Sequence, residues 1–212
     1  MKKIKIPEKI IAKVFIEFIH MWTYIKGYIS ILLYKIVYKK NVFFIGSNFK
    51  VWGSVIIKII GEGSIKIGKN AHLVSDPKRS YITLFSKVQL TAYDSGKIEI
   101  SDNVALNGTT ITSKKYIKIG QGTMIAPNVI IVDSDFHQIW PSDKRFISST
   151  SKFDKKVDIG KNVWIGMNST ILKGSIIGDN SIIGAGSVVS GIIPANCLAY
   201  GSPAKFIKTL DD

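Results

Sequence analysis

Three histidines and one cysteine are the side chains of this 212-residue sequence best suited to proton or acyl chemistry near neutral pH. His20 lies among isoleucines and aromatics, and His72 follows Asn70-Ala71. His137 sits in the polar stretch Asp133-Ser134-Asp135-Phe136-His137-Gln138-Ile139-Trp140-Pro141. An imidazole with an ordinary pKa of about 6.5 gives and takes protons readily at pH 7. Asp133 or Asp135 could orient such a ring, or both could be solvated loop acids. A zinc site built on histidines needs three of them. Past the first 40 residues there are only His72 and His137, so no metal is expected. Cys197 stands alone, which excludes an internal disulfide framework and fits a reducing compartment.

The elements that must position His137 announce themselves as a repeat. From Ile159 an aliphatic residue recurs every six positions, at Ile165, Ile171, Ile177, Ile183 and Val189. Four residues after each comes a small or β-branched residue: Val163, Ser169, Ser175, Ser181, Ser187 and Ile193. The frame is also present at Ile119, Ile125 and Ile131, at Ile100 and Leu106, and at Ile67 and Leu73. A period of six fits neither a long strand nor a helix. It fits a short strand and a tight turn, three of which close one triangular coil. The aliphatic residues then point inward and stack between coils. Asn103, Asn162 and Asn180 suit turns that need positive φ. Ile131 and Ile159 are 28 apart, not a multiple of six. The surplus predicts a loop expelled from the coil over about 133–156, with His137 in it.

With Val163-Trp164-Ile165-Gly166, Ile183-Gly184-Ala185-Gly186 and Gly201-Ser202-Pro203-Ala204-Lys205, the chain resembles the hexapeptide-repeat acyltransferases of the galactoside and maltose acetyltransferase type. The match spans about residues 60–207. The resemblance implies an all-β fold, a left-handed parallel β-helix of hexapeptide repeats, and an acetyl transfer from acetyl-CoA. It makes His137 the general base, because the family carries a catalytic His in an expelled loop ahead of a Val-Trp-Ile-Gly coil. A sugar hydroxyl is a poor nucleophile until it loses its proton, which is the task such a base performs. The matching donor-site positions are Trp164, Gly166, Met167, Gly184, Ala185, Ser190 and Lys205, with Lys205 facing a CoA phosphate. The family often has a polar residue where Met167 stands. Trp164 has a plainer alternative as a corner plug. On the acceptor side, Asn107 and Asp135 are candidates, and Trp140 could stack on a sugar or pin the loop. The resemblance also implies a homotrimer with the site between subunits.

Residues 1–40 form a region of their own, ahead of the β-helix domain at 41–212. They hold nine Lys and two Glu, half of the chain's net charge of +14. Lys9, Lys13, Glu17 and His20 share one face of a predicted helix over 8–38. Gly27 is a candidate break into two helices. Lys26 and Lys35 interrupt the apolar run, so a membrane-spanning helix is not expected. An amphipathic, lysine- and aromatic-rich helix suits a membrane interface; packing on the protein or on another subunit is the alternative. No cleavable signal peptide is evident. The expected location is cytoplasmic, with peripheral contact at the inner face of the membrane.

The expected function is therefore an O-acetyltransferase acting on a sugar hydroxyl of a surface polysaccharide or its lipid-linked precursor. An N-acetyltransferase acting on an amino-sugar nucleotide is the alternative. A serine acetyltransferase would need a larger N-terminal helical domain. An ice-binding or scaffold β-helix would show regular Thr rows and no expelled His loop. The basic residues are dispersed over turns and form no nucleic-acid motif.

Overall fold

The computed structural model describes residues 8–40, 42–146 and 151–210. Part of the expected expelled loop, 147–150, lies outside the described residues, as do 1–7, 41, 211 and 212. One helix, α1 (Glu8–Val37), precedes a stack of coils. Coil one holds β1 (Phe43–Ile45), β2 (Lys50–Trp52) and β3 (Ile56–Gly61). Coil two holds β4 (Ser64–Ile67), β5 (His72–Val74) and β6 (Gln89–Asp94). Coil three holds β7 (Lys97–Ile100), β8 (Ala105–Asn107) and β9 (Thr110–Ser113). Coil four holds β10 (Tyr116–Ile119), β11 (Met124–Ile125) and β12 (Ile130–Val132). Coil five holds β13 (Val157–Ile159), β14 (Trp164–Ile165) and β15 (Thr170–Ile171). Coil six holds β16 (Ile176–Ile177), β17 (Ile182–Ile183) and β18 (Val188–Val189). A last partial coil has β19 (Ile192–Ile193) and β20 (Cys197–Gly201), closed by antiparallel β21 (Ala204–Thr209).

From β1 to β20 every third strand joins the same sheet, so the chain winds around three parallel sheets of seven, seven and six strands, the second extended to eight by antiparallel β21. Register puts like on like. Ile67, Ile100, Ile119, Ile159 and Ile177 stack in the first sheet. Leu106, Ile125, Ile165 and Ile183 stack in the second. Ile111, Ile131, Ile171 and Val189 stack in the third. All are essentially buried, and each stabilises the coil by about 1.5–3 kcal/mol. The corner serines Ser169, Ser175, Ser181 and Ser187 are fully buried. Their hydroxyls are satisfied by backbone carbonyls, as Ser181 Oγ to Pro194 O at 2.7 Å. Asn103, Asn162 and Asn180 do adopt positive φ, of 61°, 53° and 57°. Their amides form a ladder from Asn162 to Asn180 to Asn196.

The coils begin at Phe43. Two expectations need correction. Ile193 is not a corner residue: it pairs with Ile177 in the inward row, because the last corner is two residues shorter than the repeat. Gly27 does not break α1, which runs unbroken from Glu8 to Val37. It is instead the point of closest approach to coil one. A Cβ there would lie 2.4 Å from Val51 O.

That approach lays α1 across the open end of the first coil. Ile31 is buried in the core, and Tyr34 and Tyr38 pack against it. Gly53 N donates to Thr23 O at 2.9 Å, and Tyr34 Oη to Val55 O at 3.4 Å. The far side of the helix is apolar too. Phe18, Trp22, Ile25, Ile29, Leu33 and Ile36 recur at helical spacing and are all exposed. Among the described residues no helix is long and apolar enough to cross a membrane.

Candidate active site

Each coil turns three corners. The first joins the first and second sheets, the second joins the second and third, and the third leads on to the next coil. The segment 133–156 leaves from the third corner of coil four, between β12 and β13. Asp133 roots it there. The side chain is fully buried. It accepts from Ser113 Oγ at 2.6 Å and from the backbone N–H groups of Lys114, Lys115 and Tyr116 at 2.7, 2.9 and 2.7 Å. Lys155 N donates to Asp133 O at 3.0 Å, so both ends of the segment meet at this residue. Asp133 is thus the anchor of the loop and not the partner of the His137 ring.

Asp135 does not orient the ring either. Its carboxylate pairs with Lys173 Nζ, from the third corner of coil five, and Lys173 Nζ also donates to Phe153 O at 3.3 Å. Phe136 takes φ of 60°, which reverses the chain. His137 Nδ1 then lies 3.0 Å from Arg145 O. A carbonyl oxygen only accepts, so Nδ1 carries the proton and Nε2 keeps its lone pair. The ring is exposed. The ring is thus held by a backbone carbonyl with the lone pair of its other nitrogen turned away from that bond. Arg145 O was not foreseeable, because any residue supplies a carbonyl. Trp140 is 75% exposed and its carbonyl accepts from Gln138 Nε2 at 2.8 Å, so it does not pin the loop by burial.

Four of the donor-site candidates, Gly166, Met167, Gly184 and Ala185, lie on the second corner. Trp164 stands on the outer face of the second sheet between Met124 and Ile182 and is 51% exposed, so it is no corner plug. Gly166 and Met167 turn the corner of coil five, Gly184 and Ala185 that of coil six. A Cβ on Gly166 would sit 2.5 Å from Ala185 N, and Gly186 N donates to Met167 O at 2.8 Å. The glycines therefore let the two coils stack closely and leave a backbone-lined edge. Asn107 ends β8 on this same corner, two coils earlier, where its carbonyl accepts from Asn128 N at 3.2 Å. Lys205 is exposed on β21, opposite Tyr200. Ser190 lies on the third corner instead, with His137. Within one chain, then, the third sheet separates His137 from Gly166, Met167, Gly184 and Ala185.

A second insertion escaped the sequence reading. Leu73 and Leu90 are both inward, yet they are 17 apart, not a multiple of six. The surplus, residues 75–88, leaves the second corner of coil two and folds along that corner. Asn128 of coil four holds it: Phe85 N donates to Asn128 Oδ1 at 2.9 Å, and Asn128 Nδ2 donates to Thr83 O at 3.0 Å. Tyr81 and Phe85 project from it, fully and 78% exposed. His72 stands edge-on to Trp52 with ring centroids 5.8 Å apart. Burial, and then the charge of Lys50, push its pKa below the ordinary value. On the first sheet, burial and then a 2.6 Å hydrogen bond to Glu99 raise Tyr116 to about 12. Among the described residues no group of three or more His, Cys, Asp or Glu could hold a metal ion.

Residues 156–191 match the bacterial transferase hexapeptide family of six repeats. WbbJ of Escherichia coli K12, provisionally named a lipopolysaccharide biosynthesis O-acetyl transferase, is 36% identical over 161 residues. The match covers 71% of this chain and 74% of WbbJ. The chain belongs to the hexapeptide transferases. An uncharacterised 24.8 kDa protein of the Klebsiella pneumoniae cps region is also 36% identical, over 199 residues, covering 84% of this chain and 83% of that protein. Among solved structures, a galactoside acetyltransferase in complex with coenzyme A is 25% identical with a TM-score of 0.54, covering 90% of this chain and 82% of that one. The fold is thus the left-handed β-helix of the hexapeptide acetyltransferases, and this chain is an acetyltransferase of that family.

Proposed function

We propose that this hexapeptide acetyltransferase moves the acetyl group of acetyl-CoA to a sugar hydroxyl, in a bacterial surface polysaccharide or its lipid-linked precursor, with His137 as general base. The observation that carries the reading is the hydrogen bond from His137 Nδ1 to Arg145 O, on a loop anchored by a buried carboxylate. His137 Nε2 takes the proton of the acceptor hydroxyl as that oxygen attacks the thioester carbonyl. The tetrahedral adduct collapses, the C–S bond breaks, and the imidazolium returns the proton to the departing thiolate, giving the ester and free CoA. The names of WbbJ and of the galactoside enzyme support a sugar acceptor and CoA as carrier. Trp164, Gly166, Met167, Gly184 and Ala185 offer the pantetheine arm an exposed aromatic face and a backbone-lined edge. Ser190 would lie beside it, Lys205 would meet a CoA phosphate, and Asn107, Asp135 and Trp140 would face the acceptor. A homotrimer that sets the third corner of one subunit against the second corner of the next would unite His137 with that edge.

The outer face of α1 supports peripheral contact with the cytoplasmic face of the inner membrane. Its apolar stripe, with Lys13, Lys26, Lys35, Lys39 and Lys40 on and beside the helix, suits an anionic lipid surface. In a trimer with parallel β-helix axes, three such stripes would form one base. Binding to vesicles containing phosphatidylglycerol, abolished by Ile29→Glu with Leu33→Glu, is the expected outcome. Binding unchanged by these substitutions would remove the membrane from the reading.

The catalytic test is release of free CoA from acetyl-CoA in the presence of a panel of glycans. Release should depend on the acceptor and fall by about 10²–10⁴ in His137→Ala. A variant as active as the wild type would refute the assignment. A response only to amino sugars would turn the reading to N-acetylation.

A further inference from the structure

Outside α1, the six most exposed large apolar side chains among the described residues are Tyr81, Phe146, Phe85, Trp140, Ile192 and Ile139. Five of them belong to the two expelled segments, Tyr81 and Phe85 to 75–88 and three to 133–156. Large apolar groups exposed together mark a surface that meets something. The two clusters lie on different corners, yet at one height. Segment 75–88 leaves coil two, but Leu84 packs over Gly108 of coil three, and Asn128 of coil four holds Thr83 O and Phe85 N. Its tip has therefore climbed along the second corner to coil four. Ser80 closes the turn beside it, its Oγ donating to Ile82 O at 2.6 Å, and leaves Tyr81 fully exposed at the apex. Segment 133–156 leaves the third corner of coil four, and its Asp135 reaches Lys173 of coil five.

Within one chain the third sheet keeps these clusters apart. Between two copies they can meet head to tail. When the rotation axis runs parallel to the coils, height is conserved, and patches level with one another close into a ring. The tip of 75–88 is also continuous with the glycine-lined edge of its own subunit. Asn128 Nδ2 donates to Asn168 Oδ1 at 3.3 Å, and Asn168 follows Met167 on the corner of coil five. One subunit thus presents, along a single corner, an aromatic tip at coil four and the edge of Gly166 and Gly184 at coils five and six. The next subunit brings His137 at the level of coils four and five. We propose, on the reading that the acceptor is a glycan and the assembly a trimer, that Tyr81 and Phe85 of one subunit form the acceptor wall opposite His137 and Trp140 of the next. Rings as exposed as these stand on convex tips, which face each other across a slot and do not interlock. A pyranose suits such a slot. Its C–H faces are apolar and lie flat on aromatic rings, while its hydroxyls point to the rim. The hydroxyl on the rim beside His137 is the one acetylated.

The test has two arms on the full chain. The first needs no activity. Phe85→Cys with Ile139→Cys is treated with a short bis-maleimide; Cys197 is buried and does not compete. Denaturing gels should show covalent dimers and trimers, which neither single variant gives. Linkage confined to one chain, or none, would overturn the proposal. The second arm reads the chemistry. Tyr81→Ala with Phe85→Ala should raise KM for the glycan about tenfold or more and leave KM for acetyl-CoA within about twofold; a loss of fold would move both. Co-expressed with the His137→Ala chain, this variant should regain activity. Each site then draws its tip and its histidine from different chains, so about one quarter of the sites are intact in an equal mixture. Mixed assemblies no better than their parents, beside an active wild type, would overturn the proposal. A wild type that cross-links between chains but acetylates no glycan would remove the sugar acceptor and uphold the meeting of the two tips.

Discussion

The segment 133–156 leaves the third corner of coil four rooted by its own first residue, whereas 75–88 leaves the second corner of coil two and is held by side chains of the coils it crosses. Asp133 is ionisable, fully buried and bound to four donors. Charge-assisted bonds of this kind are short and strong. The segment 75–88 instead relies on several scattered and more exposed ties: the Asn128 amide, Ser86 Oγ to Gly108 O at 2.9 Å, Ser75 Oγ accepting from Val88 N at 2.9 Å, and the Arg79 guanidinium 5.0 Å from the centre of the Trp52 ring. Leu84 adds an apolar foot, 8% exposed, over Gly108. The difference matches what each must hold. The first carries His137, and the general base proposed there would need its Nε2 placed to a fraction of an ångström. The second presents a broad exposed tip, Tyr81 and Phe85, which tolerates movement.

The strongest way to break this comparison is Asp133→Ala. It leaves the N–H groups of Lys114, Lys115 and Tyr116 without their acceptor. Buried unsatisfied donors cost about 1–3 kcal/mol each, so a loss on the order of 3 kcal/mol is expected in urea unfolding. The rate of acetyl transfer should fall with it, because both ends of the His137 segment come loose. Lost activity at unchanged stability would mean that Asp133 orients the segment without holding the coil. No change in either would show that the anchor lies elsewhere.

Legibility follows the same physics. The coils were readable because one inward aliphatic per six residues is a packing requirement, and coils five and six obey it without exception from Ile159 to Val189. The expelled segment was readable as a break in that frame. The break between Leu73 and Leu90 is of the same kind, but the earlier coils are less regular. Leu106 and Ile111 are five apart, so an offset there carries less information. His137 was a candidate by its setting, yet the group that holds its ring could not be read, since Arg145 contributes a carbonyl and not a side chain. Asp133 and Asp135 were natural partners by proximity in sequence. The fold spends the first on the corner at 113–116 and the second on Lys173. Gly27 read as a helix break by propensity, and close approach to Val51 overrode that propensity. The unpartnered Oδ2 of Asp76 was invisible because hydrogen-bond satisfaction is a property of the folded neighbourhood.

Asn128→Ala sharpens the comparison from the other side with a smaller effect. Asn128 takes φ of 64°, a region alanine adopts at some cost. It also serves Thr83, Phe85 and, at 3.3 Å, Asn168. These partners are exposed, so water replaces most of what is lost, and about 1 kcal/mol of stability should go. Asn128→Gly separates the two terms, since glycine accepts the positive φ freely but restores no amide. If the tie to 75–88 matters, both variants should be cut by protease at 80–86 several times faster than the wild type. Transfer to a soluble acceptor should stay within about twofold, because the anchor of 133–156 is untouched. Slowed transfer at unchanged cleavage would reverse the comparison, making the second corner, and not the third, the more demanding support of the chemistry.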